Sequence, residues 1–189
     1  MFPEKRILAS KLDLKSAHRR VHLCGSLVAT SLTIVGAFAL ISLRLPFGEA
    51  CCPHWWCAIS ELICGVANAL LRCEFWNPAD FDFSNKKVIP ECEIDVKDNP
   101  PFVEALPIDV LVDPDDRGKS FCSIDDLITV GLENAYIDKL RYAVALVIDF
   151  FGRPLDQKEP IHRDDVLSMK KLQAEGALEE CKTILGWFF

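Results

Sequence analysis

The sequence predicts an α+β fold, an antiparallel sheet with helices packed on one face. Three observations point there. Short apolar runs with a period of two are interrupted by turn residues, as in two hairpins. Two stretches place apolar residues at three- and four-residue spacing: Trp56, Ile59, Ile63, Val66 and Leu70, then Ile137, Leu140, Val144, Val147 and Phe151. These segments follow in the order strand, hairpin, helix, excursion, hairpin, helix, helix, strand.

ILASKLDLKS (7–16) reads as a short strand running into a turn, with Asp13 at its end. In CGSLVATSLTIVGAFALISL (24–43), Leu32 and Ile34 alternate with Ser31 and Thr33. Phe38 and Leu40 then alternate with Ala37 and Ala39, and Gly36 lies between, which predicts two buried strands. The same twenty uncharged residues, following Arg19 and Arg20, have the composition of a single membrane span, and that is the alternative reading. Three Ser, two Thr, two Gly and the β-branched residues favour the hairpin.

Pro46 and Gly48 close that segment, and a helix is expected from Pro53, apolar on most sides. Residues 74–120 carry six of the eleven prolines and read as an irregular excursion, with one short strand near Ile108–Val112. FCSIDDLITVGL (121–132) suits a second hairpin with Asp125 and Asp126 at its tip. A helix over the 137–151 stripe ends at Gly152 and Pro154. A last helix is expected to start at Asp164-Asp165 as N-cap and to carry KKLQAEGALEE before the closing KTILGWFF.

The 189 residues fit one domain with a real core: half are hydrophobic and 26 % charged. The net charge of −7 argues against an independent nucleic-acid binder, which presents a basic face. The charge is uneven, however. Residues 1–23 hold six Lys/Arg against two acids, whereas residues 74–126 hold fourteen acids against five bases. A polyanion can therefore lie against one edge only. Nine cysteines, an odd number set inside apolar runs, predict buried reduced thiols and a reducing intracellular compartment. Cys51, Cys52, His54 and Cys57 lack paired CxxC spacing and read as core before they read as a zinc site.

Two adjacent aspartates at the tip of an otherwise apolar hairpin repel unless a cation sits between them. Singly, Asp13 is a strand end, LPFG (45–48) a turn and Asp125-Asp126 a hairpin tip. In order, LDLKSA (12–17), LPFG with Pro53 beyond it, SIDD (123–126) and KTILGW (182–187) resemble the palm of retroelement reverse transcriptases. That family has LDLxxAY, LPFGxxxAP, an aromatic-x-Asp-Asp hairpin, then a later Lys and Leu-Gly. The resemblance covers most of the chain and is weakest over the excursion.

The resemblance implies a palm-like fold and RNA-directed DNA polymerase chemistry. Asp13, Asp125 and Asp126 would be catalytic and would hold Mg²⁺, or Mn²⁺, as a pair of ions about 3.5–4 Å apart. Leu14 to His18 would line the incoming triphosphate, Phe47 and Gly48 would lie near template or sugar, and Lys182 would assist the phosphates. The implied partners are a primer-template and a deoxynucleoside triphosphate, with no membrane. His18 and Ser123 stand where the family has aromatics, which predicts impaired sugar discrimination and primer positioning. Twelve residues precede Asp13 and the chain stops at Phe189, so fingers, thumb and ribonuclease parts are expected to be missing. The expectation is a truncated, inactive copy from a mobile element, with a nonenzymatic interaction module as a further alternative.

Overall fold

The computed structural model describes residues 6–46, 48, 52–83, 86–90, 118–152, 166–180, 183–184 and 187–188. Along the chain come β1 (Ile7–Asp13), the short helix α1 (Gly25–Val28), β2 (Leu32–Val35), β3 (Phe38–Ile41) and α2 (Cys52–Arg72). β4 (Lys119–Ser123), β5 (Asp126–Leu132), α3 (Ala135–Gly152), α4 (Met169–Glu175), β6 (Thr183–Ile184) and β7 (Trp187–Phe188) follow. The architecture is α+β, as the periodicities predict. β1, β5 and β4 form an antiparallel sheet in that order, β2 pairs with β3, and β6 pairs with β7. The Ile108–Val112 strand and the Asp164-Asp165 cap lie outside the described residues.

Alternation along β1 divides its side chains between two faces. Leu8, Ser10 and Leu12 are buried on the face that receives α2 and α3. Leu12 stands opposite Leu127 and joins Trp56, Ile63, Leu140 and Val144 in the main core. Lys11 and Asp13 occupy the other face. α4 lies beside β1: Ser168 N donates to Asp13 O (2.9 Å), Lys15 N donates to Val166 O (2.9 Å), and Ala9 exchanges two backbone bonds with Glu179. The outer edge of β1 is therefore paired by this segment and not left open.

The opposite edge, β4, is covered at Ser120 by one side chain of α2. Asn68 Oδ1 accepts from Ser120 N (2.8 Å) and its Nδ2 donates to Ser120 O (2.9 Å), so the amide takes the place of a neighbouring strand. α3 fixes α4 in turn. Arg141, wholly buried, donates Nη1 to Gly176 O (3.0 Å) and pairs with Asp138 through Nη2.

Several expectations change. The buried face of α2 runs through Trp56, Ser60, Ile63, Cys64, Ala67 and Leu71, while Trp55, Leu62 and Val66 are exposed. One face packs on β4 and α3, so the helix is not buried on most sides. It is also the one described helix whose length and composition suit a membrane span, but its buried stripe belongs to the core. Residues 24–43 do not form a continuous helix. They fold as α1 and the β2–β3 hairpin, turned at Gly36 with φ +61, where a two-residue hairpin connection requires positive φ. Both strands form where the alternation puts them, yet both are exposed throughout and not buried. Their dominant packing is with each other. α4 starts at Met169 after Ser168 and stops at Glu175, because Gly176 caps it, so the ALEE segment lies beyond the helix. Trp187 and Phe188 belong to a small β6–β7 hairpin and not to a single closing strand.

Candidate metal centre

The antiparallel register places Asp13, the last residue of β1, directly opposite Asp126, the first residue of β5. Paired residues share a face, so these two carboxylates project to the same side. β4 and β5 form a hairpin in which Ser123 pairs with Asp126, leaving Ile124 and Asp125 as the connection. The tip is thus Ile124-Asp125, with Asp126 already in the strand. Ile124 adopts φ +57, a left-handed conformation that a β-branched residue rarely takes. One ligand atom from each of Asp13, Asp125 and Asp126 can be chosen so that all three lie within 4.8 Å of one another. Residues 112 and 113 positions apart thereby meet at one end of the sheet.

The aspartates are enclosed. Asp13 is 7 % exposed and Asp126 8 % exposed, whereas Asp125 is half-buried. Two lysines compensate them. Lys171 Nζ of α4 donates to Asp13 Oδ1 at 2.8 Å. Lys11 Nζ lies 3.1 Å from Asp126 Oδ2 and 2.8 Å from Glu175 Oε2. Four carboxylates (Asp13, Asp125, Asp126, Glu175) share two ammonium groups, so two negative charges within this group of six stay uncompensated.

The titration behaviour reflects this crowding. Burial pushes the Asp13 carboxyl above its usual value; Lys171 pulls it down without cancelling the shift, and Asp125 and Asp126 push it further up. Lys171 is raised above the usual lysine value, chiefly by its hydrogen bond to Asp13. Burial works to lower Lys11, but contacts with Glu175 and Asp126 outweigh it and leave that amine raised as well.

The donor set suits a hard divalent ion. Carboxylate oxygens from three residues converge, and Asp126 Oδ1 is buried without a hydrogen-bond partner. A buried orphan carboxylate oxygen is costly, and a coordinated cation is one way to satisfy it. Mg²⁺ and Mn²⁺ both accept such ligands.

Among the other residues singled out in the sequence, Leu14 is buried and bridges to Leu167 beside the site. His18 is buried with its ring 5.8 Å from that of Trp56, on the core side. Gly48 is exposed at φ +101. Phe47 and Lys182 lie outside the described residues. Cys52 is buried in the core while His54 is exposed on the far side of α2, so these two do not converge; Cys51 lies outside the described residues.

Sequence reasoning missed Lys11, Lys171 and Glu175. Lys11 was detectable, since a residue two positions before Asp13 on one strand shares its face. Lys171 carries no such signal, because it reaches Asp13 across 158 positions. Comparison with family models, with curated proteins and with solved structures finds no match.

Proposed function

We propose that this domain is the palm of a retroelement reverse transcriptase, built for metal-dependent nucleotidyl transfer and weakened in this chain to the point of inactivity. The observation that carries the reading is the meeting of Asp13, Asp125 and Asp126 at one end of an antiparallel sheet, two of them in direct register. Asp13, Asp125 and Asp126 would hold Mg²⁺ or Mn²⁺, which would supply Lewis acidity for a primer hydroxyl and the phosphates of a nucleoside triphosphate. Asp13 and Asp126 orient the ligand oxygens from rigid strands, and Asp125 adds a third from the connection. Lys11 holds Asp126 and Glu175, so the second strand of the site is braced from below. Lys171 is paired with Asp13, where its ammonium group would meet the phosphates of a nucleotide held by a metal at that carboxylate.

Two features support weakened catalysis. The ring at position 18 is an imidazole packed near Trp56, and Ser123 precedes the Ile124-Asp125 connection where the family has an aromatic. Ser123 lacks the apolar surface that the family's aromatic offers a primer, and His18 faces the core instead of the aspartates.

The test has two stages. Mn²⁺ titration followed by electron paramagnetic resonance should report binding to the wild-type chain and at least tenfold weaker binding to Asp13→Asn and Asp125→Asn. Primer extension on an RNA template with Mg²⁺ or Mn²⁺ should then give little or no product. Mn²⁺ affinity unaffected by both substitutions would reject the site. Extension that survives Asp125→Asn would reject the assigned chemistry.

A further inference from the structure

We propose that the β2–β3 hairpin is an interfacial anchor that inserts its tip into the surface of an anionic bilayer. This is independent of the polymerase reading and departs from the expectation of no membrane partner.

The argument begins with the two faces of the hairpin. Register pairs Leu32 with Ile41 and Ile34 with Ala39 on one face, and Thr33 with Leu40 and Val35 with Phe38 on the other. Both faces are apolar and both are exposed; at the tip Ile34 is 72 % and Phe38 74 % exposed. A half-buried antiparallel strand pair shows one apolar and one polar face. A folded partner docking on one side of this hairpin would leave the other side wet. A fluid apolar phase covers both.

Charge identifies which apolar phase. Residues 14–48 contain Lys15, Arg19, Arg20 and Arg44 and no acid, in a chain of net charge −7. These cations flank the hairpin. Arg44 is joined to His22 across its stem, and Arg19 and Arg20 immediately precede that stem. An uncharged apolar hairpin with Arg44 at its stem and Arg19 and Arg20 just before it matches acyl chains beneath anionic headgroups. A single-stranded nucleic acid would use the cations but stacks its bases on aromatic platforms, and Phe38 is the single aromatic in β2 and β3; a duplex would use the cations and leave the apolar tip uncovered.

Insertion is shallow. Each strand is four residues, roughly 13 Å long, and its outer edge has no strand partner among the described residues, so its backbone groups cannot enter the hydrocarbon core. The tip therefore reaches the headgroup–acyl boundary, about 5–10 Å deep, where water still serves the edges.

Vesicle flotation with EDTA present, so that no divalent ion bridges protein and lipid, tests this on the full chain. Vesicles of phosphatidylcholine alone are compared with vesicles of phosphatidylcholine and phosphatidylserine in equal parts. The wild-type chain should float with the anionic vesicles at least tenfold more than with the neutral ones, and added salt should release it. Phe38→Asp and Ile34→Asp, both at exposed positions, should each lower flotation about tenfold or more. Arg19→Glu with Arg20→Glu should reduce anionic binding to the neutral level. No flotation of the wild type, or flotation unchanged by both tip substitutions, overturns the proposal. Equal binding to both lipids overturns the role of the cations. A dimer that Phe38→Asp converts to monomer, without flotation, assigns the hairpin to a second copy. Retention on a single-stranded oligonucleotide without flotation assigns it to nucleic acid.

Discussion

Lys171 and Asp13 form an ion pair at 2.8 Å between α4 and the end of β1, joining the most buried member of the acidic group to an ammonium group. At the proposed metal centre the ammonium group would compete with a divalent cation for the same carboxylate. Lys171→Met leaves Asp13 buried and uncompensated, so the variant should lose stability without metal. Because the Lys171 side chain is nearly half exposed, the loss should be about 1 kcal/mol rather than that of a fully buried pair. In a domain of this size that lowers the melting temperature by roughly 2–4 °C. Added Mn²⁺ should then raise the melting temperature of the variant more than that of the wild type, since no lysine has to be displaced. Equal increments in thermal melts would show that the pair and the ion do not share Asp13.

The Ile124 conformation invites a different substitution. Its φ of +57 places a β-branched residue in the left-handed region, at a cost of order 1–3 kcal/mol. The side chain is about half exposed, so little burial offsets that cost. Ile124→Asn should stabilise the fold by about 1 kcal/mol, because asparagine adopts this conformation far more readily. Urea unfolding measures the difference, and a destabilised variant would mean that Ile124 makes contacts outweighing its strain.

Asn68 satisfies both outward-facing backbone groups of Ser120, so Asn68→Ala exposes a strand edge as well as losing two hydrogen bonds. The expected cost is about 1–2 kcal/mol, with a greater tendency to aggregate as β4 becomes a pairing edge. Asn68→Asp keeps the acceptor for Ser120 N but loses the donor to Ser120 O. It should be at least as destabilising, because its charge faces that carbonyl. Static light scattering during thermal unfolding reports both effects, and unchanged melts would remove Asn68 from its role at the edge.

The parts of this fold legible in the sequence are those set by local periodicity. Period-two alternation located the β2–β3 hairpin, short apolar runs beside turn residues located β1 and the β4–β5 hairpin, and helical spacing located α2 and α3. The acidic group was legible only through the ordered resemblance of LDLKSA, LPFG and SIDD to a polymerase palm, since singly Asp13 reads as a strand end and Asp125-Asp126 as a hairpin tip. Exposure was not legible: the uncharged run at 24–43 has the composition of a core, yet the hairpin stands away from the sheet. The stripe expected for α2 holds at Trp56 and Ile63, which are buried, and at Ile59 and Leu70, which pack against the core, but fails at Val66, which is exposed. Leu62 and Val66 are as apolar as Ile63 and Ala67, and only packing against β4 and α3 decides which pair is covered. Lys171 and Asn68 act across tertiary contacts that leave no trace in local sequence.

The far end of the same strand pair gives a pH-dependent prediction that does not involve the acidic group. Arg6 holds Glu133 through two hydrogen bonds, Nε to Oε2 at 2.8 Å and Nη2 to Oε1 at 2.6 Å, while Glu133 N donates to Arg6 O at 2.8 Å. This bidentate pair closes β1 against the end of β5. The hydrogen bonds from Arg6 lower the Glu133 carboxyl below its ordinary 4.5, outweighing a smaller upward effect of burial. An acid with a lowered folded-state pKa stabilises the fold above its unfolded value and loses that contribution as pH falls through the folded value. The pair should therefore be fully effective at neutral pH and fade below 4.5. Glu133→Gln should cost roughly 1 kcal/mol at neutral pH, and the gap between wild type and variant should narrow as the medium is acidified through that range. Paired urea titrations of the two proteins at stepped pH isolate this group from the other carboxylates, because their contributions cancel in the difference. A gap that stays constant down to the acid limit would mean that Arg6 holds the strands through its backbone and packing, with the charge of Glu133 contributing nothing.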